Sequence, residues 1–228
     1  MKNIVSAVLT LSLAAAVLSG CGSKTVGKDS GNSSSPVTSS APASSTAPAV
    51  QGSTVRERDI ISDNDLFDYE IYQGCATVTK YKGSGPRAEV PAQLGGAPVT
   101  GIGFYCFEAK YSLKEVVLPD TLTTIGQFAF SDCDSLVSVN IPDGVKEIQR
   151  GAFAACTSLT SISLPASVET VKEEAFTACT SLASLYIAGN QLQYENWGLE
   201  DLANLTVYAA SGSAAETWAS AMGKFSAV

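Results

Sequence analysis

A pattern of apolar residues recurs every 23 residues along the chain, and this period limits what the chain can fold into. The phenylalanine column of the pattern consists of Phe107, Phe130, Phe153 and Phe176. Periods of about 20 to 50 residues are typical of solenoids, in which each unit stacks on its neighbours to bury an apolar face that it cannot cover alone. The repeat therefore predicts a stacked array, and it excludes the two α/β lobes of a transporter's solute-binding protein.

Six further columns keep the register, beginning at Val99, Ile102, Leu113, Val116, Leu118 and Pro119. Within one unit, the segment SLTSISLP alternates Ile162 and Leu164 with serines, which is the period-2 pattern of a short strand. Proline then ends the strand, because it has no N–H to donate to a ladder. We expect the following I-x-x-x-A-F segment to return the chain on the other side with a turn of helix.

The repeat core A-F-x-x-C-x-S-L-x-x-I-x-I-P resembles the BspA-type leucine-rich repeat family of bacterial surface proteins, over about residues 67 to 222. The resemblance implies a leucine-rich-repeat solenoid of mixed β structure with short helical or irregular convex segments. It also implies a parallel concave sheet, which we expect to contain about four to five strands. Members of the family are typically exported and act in adhesion or other binding, without known catalysis by the repeats. The first repeat departs from the pattern, because Cys106 replaces the small alanine and Lys110 replaces the cysteine.

The two ends of the repeat region have the composition of caps. Residues 55–86 predict an N-terminal β cap, with a hairpin turning at Gln73 and Gly74, and the repeats then occupy residues 87–190. Residues 191–228 predict a C-terminal cap in which the strand LTVYA precedes a helix with a Ser213 and Glu216 capping box. The apolar stripe of that helix consists of Ala215, Trp218, Ala219 and Met222. We interpret Trp218 as a lid over the last repeat, with a functional aromatic residue as the alternative.

The N-terminus predicts export and lipid anchoring. Residues 1–20 combine Lys2 with an apolar run that is too short for a spanning helix of about 20 residues, as in a signal peptide. The run ends in Leu-Ser-Gly before Cys21, which resembles the lipobox of bacterial lipoproteins and implies lipidation of Cys21. A retained membrane anchor is the alternative. Residues 21–54 then predict a disordered stalk, because 25 of residues 22–54, 33 in all, are Ser, Thr, Ala, Pro or Gly.

The charge and the missing histidine exclude several functions. A net charge of −8 argues against nucleic acid and anionic lipid surfaces as partners, because both require clustered Lys and Arg. The chain contains no histidine, so the commonest general base and the commonest zinc ligand are absent. We expect no cofactor and no metal.

Three cysteines recur at the repeat spacing, as Cys133, Cys156 and Cys179. Stacking places them in a line with about 5 Å between neighbours, whereas a metal site needs about four ligands around one point. We therefore interpret them as buried core residues, which free cysteine resembles in packing. A disulfide stays open as an alternative, since the spacing and export both permit it, and a metal or redox site is the weakest of the three interpretations.

Acidic residues do not form an obvious site. The segment SDNDLFDYE brings together Asp63, Asp65, Asp68 and Glu70, but it lacks the glycine and distal glutamate of an EF-hand loop. We interpret the segment as a solvated acidic edge, with a calcium site as the alternative. No pair of carboxylates is indicated for a glycosidase.

The candidate ligand-binding surface is the concave face, where residues flanking each buried strand position point outwards. These residues are Arg87, Glu89, Glu115, Val117, Ser138, Asn140, Ser161, Ser163, Ser184 and Tyr186. They suit a glycan or an extended polypeptide through hydrogen bonds and a tyrosine platform. The alternative is an inert solvated sheet face.

Together these features predict a lipid-anchored cell-surface protein with a non-catalytic module that binds a protein or glycan of the cell surface or of a neighbouring or host cell. An envelope hydrolase and a purely architectural envelope protein are the alternative functions. We expect the anchored domain to face the extracellular side, in a Gram-positive type of envelope, because the stalk directly follows the lipidated cysteine.

Overall fold

The computed structural model describes residues 60–61, 63–190 and 196–228. The predicted signal peptide, Cys21 and the stalk lie outside the described residues. The strands are β1 (Phe67–Tyr72), β2 (Cys75–Tyr81), β3 (Arg87–Glu89), β4 (Gln93–Leu94), β5 (Ala97–Ile102), β6 (Glu115–Val117), β7 (Thr124–Ile125), β8 (Ser138–Val139), β9 (Glu147–Ile148), β10 (Ser161–Leu164), β11 (Thr170–Val171), β12 (Ser184–Ile187), β13 (Thr206–Ala209) and β14 (Phe225–Ala227). One α-helix is described, α1 (Ala214–Ala221), between β13 and β14.

The segments with the period-2 pattern form one parallel ladder, which we call the front ladder. It contains a three-stranded sheet β3-β6-β8 and a four-stranded sheet β10-β12-β13-β14. A bridge between Asn140 and Ser163 links the two. Strands pair in register one repeat apart, as Ile162 does with Leu185. The parallel pairing agrees with the prediction, while the ladder is longer than the expected four to five strands because β13 and β14 extend it.

The return segments β5, β7, β9 and β11 pair in parallel and form a second ladder, the back ladder. β2 extends it in parallel beside β5, whereas β1 and β4 pair antiparallel with β2 and β5. A turn of helix was expected here, and the described repeats contain strands of two residues instead. The physical reason is that their backbone groups bond to the neighbouring repeat: the Gly126 N–H donates to the Ile102 carbonyl at 2.8 Å, and the Gln149 N–H donates to the Ile125 carbonyl at 2.9 Å. An α-helix would direct these groups into its own turn.

Each return strand is followed by a corner that contains two residues with positive φ. The first column of these is Tyr105, Phe128, Gly151 and Glu174, and the second is Ala109, Asp132, Ala155 and Ala178. A positive φ is uncommon for residues other than glycine. It is maintained here because the repeats bond to one another through the corner, as the Phe130 N–H does to the Ala152 carbonyl at 2.8 Å. The repeat thus imposes one backbone path on unlike residues.

The core between the two ladders is built around a column of aromatic rings. The rings of Phe130 and Phe153 stack with centroids 5.3 Å apart and an interplanar angle of 2°, and Phe176 continues the stack 5.8 Å further on. At the start of the column, Tyr81 of β2 stacks on Phe107 at 4.9 Å. The column confirms the predicted stacking of repeats one above another.

Two tryptophans continue the aromatic column beyond Phe176. Trp197 contacts Phe176 edge-on at 6.4 Å, and Trp218 of α1 lies 4.7 Å from Trp197. Trp197 is fully buried, and its indole N–H donates to the Val171 carbonyl at 3.0 Å. The repeat pattern does not predict the position of Trp197, because none of its columns contains a tryptophan.

Both predicted end elements form. β1 and β2 pair antiparallel around the turn at Gln73 and Gly74, and β2 joins the back ladder through β5. At the helix start, the Ser213 hydroxyl accepts from the Glu216 N–H as the capping box requires. In a capping box the Glu216 carboxylate accepts from the N–H of the N-cap residue Ser213. Here it accepts from the N–H of the preceding residue, Gly212.

We expect Phe153→Ala to lower the free energy of unfolding by about 3–5 kcal/mol, because it removes a fully buried ring that contacts rings on both sides. Urea titration followed by circular dichroism measures this change. Tyr111→Ala is the matched control, since its side chain is 61% exposed, and it should change the free energy by less than about 0.5 kcal/mol. Similar losses for both variants would contradict the stacked core.

Candidate functional site

The repeated cysteines lie in the core as a ladder of thiols. Cys133, Cys156 and Cys179 are all fully buried and free. Each thiol donates to a phenylalanine carbonyl of the preceding repeat, as Cys156 Sγ does to the Phe130 oxygen at 3.1 Å. This arrangement agrees with the interpretation as core residues and not with a disulfide within the ladder.

Burial keeps these thiols protonated. Desolvation raises the pKa of Cys133 and that of Cys179 to about 12, and it raises the pKa of Cys156 and Cys106 further. The thiolate is the form that attacks electrophiles and binds metals. The ladder is therefore chemically inert in the folded protein at neutral pH.

We expect the free energy of unfolding to fall as the pH rises above 9.0, the ordinary thiol pKa. Above that pH the unfolded chain releases thiol protons that the folded chain keeps until about pH 12, so alkali favours unfolding. Urea titrations at pH 8 and pH 10 measure the difference. Cys179→Ala should reduce that difference because it removes one such proton, and an unchanged difference would contradict the role of Cys179.

The acidic segment before the hairpin is engaged in local contacts. Asp63 accepts from the Tyr69 hydroxyl at 3.0 Å, and Asp68 forms an ion pair with Lys82 at 2.9 Å. Within the described ranges, no group of three or more His, Cys, Asp or Glu side chains is placed to hold a metal ion. Asp63 and Asp68 are therefore engaged in contacts within the protein.

The residues predicted to flank the buried strand positions do share one face, which we call the front stripe. They form two columns across the front ladder, joined by backbone register. The first column contains Arg87, Glu115, Ser138, Ser161 and Ser184, and the second contains Glu89, Val117, Asn140, Ser163 and Tyr186. All ten side chains are exposed or half-buried, which places them where a ligand can reach.

The N-terminal end of the front stripe is charged and largely self-neutralised. Arg87 donates to the Glu115 carboxylate at 2.8 Å and lies 3.8 Å from that of Glu89. These side chains are about half exposed or more, so water screens the pairs and they add little stability.

The C-terminal end of the front stripe is aromatic. The rings of Tyr186 and Tyr208 stack with centroids 4.6 Å apart and an interplanar angle of 13°. The segment LTVYA predicts the β13 strand, but the repeat period does not predict that Tyr208 and Thr206 join the stripe, because the spacing from Tyr186 to Tyr208 is 22 and not 23 residues. The signal available for Tyr208 was its alternation with Val207 and Ala209 along the strand. In the structure Val207 and Ala209 are buried and Tyr208 is half-buried.

The family relationship follows from the repeats. Residues 100–211 match the model of the BspA-type leucine-rich repeat region in six copies. The chain is similar to the leucine-rich repeat protein TpLRR of T. pallidum, with 31% identity, 64% of this chain and 70% of that chain covered, and a TM-score of 0.60. The chain belongs to the leucine-rich repeat proteins, and its repeat region matches the BspA type. None of these names describes an enzyme.

Two further solved structures extend the comparison. A leucine-rich repeat protein from Bacteroides capillosus has 31% identity and a TM-score of 0.51, over 55% of this chain and 96% of that chain. The pneumococcal vaccine antigen PcpA shares the fold alone, with 19% identity and a TM-score of 0.53, over 71% of this chain and 44% of that chain. The comparison with curated protein sequences gave no match.

Membrane attachment is not visible in the described part of the chain. No helix in that part is both long and apolar enough to span a bilayer. Cys21, the predicted lipidation site, lies outside the described residues, so its modification stays a prediction.

Proposed function

We propose that this BspA-type protein is an exported, lipid-anchored binding module, with Cys21 as the anchor and the front stripe as the ligand-binding surface. The ligand is a protein or a glycan at the cell surface or on a neighbouring or host cell. The repeats act by adhesion and carry out no catalysis. The observation that carries the proposal is the continuous exposed stripe on the front ladder, which ends in the stacked pair Tyr186 and Tyr208.

The chemistry of the front stripe supports binding. Its central residues, such as Ser138, Asn140 and Ser163, both donate and accept hydrogen bonds, so they complement peptide groups and sugar hydroxyls alike. Tyrosine and serine are also the residues that antibody paratopes use most, because tyrosine gives a large contact area at low entropic cost. A short stripe gives modest affinity at a single site, and many anchored copies acting together raise it.

The alternatives of an envelope hydrolase and an architectural protein have less support. A hydrolase needs polar groups that break the repeat and converge on one cleft. The buried thiols are protonated members of the core, and Glu174 is engaged with Arg150 at 2.9 Å. An architectural role would leave the Tyr186 and Tyr208 pair without a contribution to function.

We propose further that the two end elements act as caps. The hairpin brings Phe67 and Tyr81 against Phe107, with the Phe67 and Phe107 rings 6.5 Å apart, which covers one end of the aromatic column. The helix brings Trp218 against Trp197 at the other end. Terminal repeats of solenoids need such covers to keep the apolar layers from water.

Screening the protein against arrays of glycans and of host or neighbour-cell proteins tests the binding function. For each ligand found, we expect Tyr186→Ala to weaken binding by about tenfold or more, because exposed stacked tyrosines are typical hot spots. Glu115→Ala should change the salt dependence of binding, since it frees Arg87 from its partner.

Tyr111→Ala provides the matched control, because it removes an exposed tyrosine outside the front stripe, 61% exposed against 41% for Tyr186, and should bind as the unaltered protein does. Binding that survives both Tyr186→Ala and Glu115→Ala without change would rule out the front stripe.

Cys21→Ala tests the anchor. We expect this variant to leave the membrane fraction when expressed in a bacterial host with lipoprotein processing, because no thiol remains to receive the lipid. Cell fractionation and mass spectrometry of the N-terminal peptide measure the change, with Cys156→Ala as the control that keeps the anchor. Retention of Cys21→Ala in the membrane fraction would disprove lipid anchoring at this residue.

A further inference from the structure

A second exposed surface lies outside the front stripe, at the corners that follow the back ladder. Phe104 and Tyr105 follow β5 after Gly103, and Phe128 is the residue one repeat after Tyr105. The Tyr105 and Phe128 rings stack at 5.3 Å with an interplanar angle of 10°, and Phe104 meets Tyr105 edge-on at 4.0 Å. Phe104 is 56% exposed and Tyr105 is 39% exposed. Adjacent aromatic residues with such exposure are unusual on a protein surface and mark interaction sites.

Gly151 has no side chain and so leaves the space that the Phe128 ring occupies. Gly151 continues the column of Tyr105 and Phe128 one repeat further on, and a Cβ built there would lie 2.1 Å from the Phe128 ring. That overlap means that the ring lies directly over the Gly151 backbone. At this repeat position, the stacked rings of Tyr105 and Phe128 are therefore followed by Gly151, which lies beneath the Phe128 ring. The next repeat has Glu174 at the same position.

A polar groove adjoins the aromatic cluster. It has a volume of about 200 Å³ and is lined by Gln127, Gln149, Arg150, Lys172 and Glu173. Gln127 is the direct neighbour of Phe128 in the chain. Its carbonyl accepts from the Tyr105 N–H at 3.2 Å, and the Phe128 N–H donates to the Arg150 carbonyl at 3.0 Å. These backbone bonds join the corners that carry the cluster and the groove-lining residues Gln127 and Arg150. We call the cluster and the groove together the corner site.

The polar lining matches the hydroxyl groups of a sugar. Glutamine side chains offer both an acceptor oxygen and two N–H donors, arginine offers a planar set of donors, and a carboxylate accepts from two hydroxyls at once. Aromatic rings beside such groups complete the combination, because one face of a pyranose ring consists of C–H groups that pack against a ring face. Ligand sites generally combine apolar and aromatic walls with a few convergent polar groups in this way.

The charges of the corner site indicate a neutral ligand. Arg150 is paired with Glu174 at 2.9 Å, and Glu173 lies in the groove with Lys172, so positive and negative side chains balance locally. The chain as a whole carries −8, which repels polyanions. The negative net charge of the protein would therefore repel a sulfated or uronic-acid glycan. The corner site also has no excess of positive side chains to attract one.

We propose that the corner site binds a neutral oligosaccharide, with a pyranose ring against Phe104, Tyr105 or Phe128 and its hydroxyls in the groove at Gln127, Gln149 and Arg150. The site is separate from the front stripe and does not depend on it. The protein thus has two binding surfaces, on different sides of the solenoid coil.

Titration calorimetry of the full chain with maltohexaose, cellohexaose and chitohexaose tests the proposal, with a hyaluronan hexasaccharide as the anionic comparison. We expect at least one neutral sugar to bind with a Kd below about 1 mM and the anionic sugar to bind at least about tenfold more weakly. Phe104→Ala and Gln127→Ala should each weaken binding of the neutral sugar by about tenfold or more.

Two tyrosine variants are the matched controls. Tyr111→Ala removes an exposed ring outside the cluster, and Tyr186→Ala removes the ring of the front stripe, so both should bind the neutral sugar within about twofold of the unaltered protein. An unchanged urea midpoint for Phe104→Ala excludes loss of folding as the cause of weaker binding. A loss with Tyr186→Ala and none with Phe104→Ala would assign the sugar to the front stripe and overturn the corner site.

Two other outcomes would also overturn the proposal. One is the absence of binding by all three neutral sugars. The other is a concentration-dependent dimer in sedimentation equilibrium that Phe104→Ala dissociates, because the aromatic cluster would then be covered by a second copy of the chain.

Discussion

Stacking of identical apolar layers is the constraint on which the rest of this protein depends. Each repeat supplies one phenylalanine to the column from Phe107 to Phe176, and each ring is buried only because another ring lies on either side. The same stacking brings the backbone groups of successive repeats within hydrogen-bonding distance on both ladders. Register, core and surface columns are therefore set together, since a shift of one residue would turn every apolar side chain outwards.

This constraint separates the residues that stabilise the protein from those that can bind. The cysteines, although chemically reactive as free residues, are held protonated in the core and donate to carbonyls of the preceding repeat. Variable positions are confined to columns that point outwards. The constant backbone of the repeat therefore places unlike residues in line at the surface, such as the serines and tyrosines of the front stripe.

The two exposed surfaces differ in how they arise from the repeat. The front stripe follows from strand alternation, and its Tyr186 and Tyr208 pair lies across two strands in direct register. The corner site requires a backbone with positive φ at Tyr105, Phe128 and Gly151, where rings of one repeat rest on the glycine of the next. One surface is an extended ladder and the other is a local cluster beside a groove, so they suit ligands of different shape.

The sequence by itself determined the stacking, the strand with its outward residues, the hairpin and the terminal helix, because periodic apolar residues, turn residues and capping residues act locally or repeat identically. It did not reveal the repeat strands β7, β9 and β11 of the back ladder, because these two-residue strands are too short to show alternation and exist only through bonds to neighbouring repeats. Tertiary structure alone brought Trp197 to the end of the aromatic column and Phe128 over Gly151, since both contacts join residues whose spacing or type departs from the repeat.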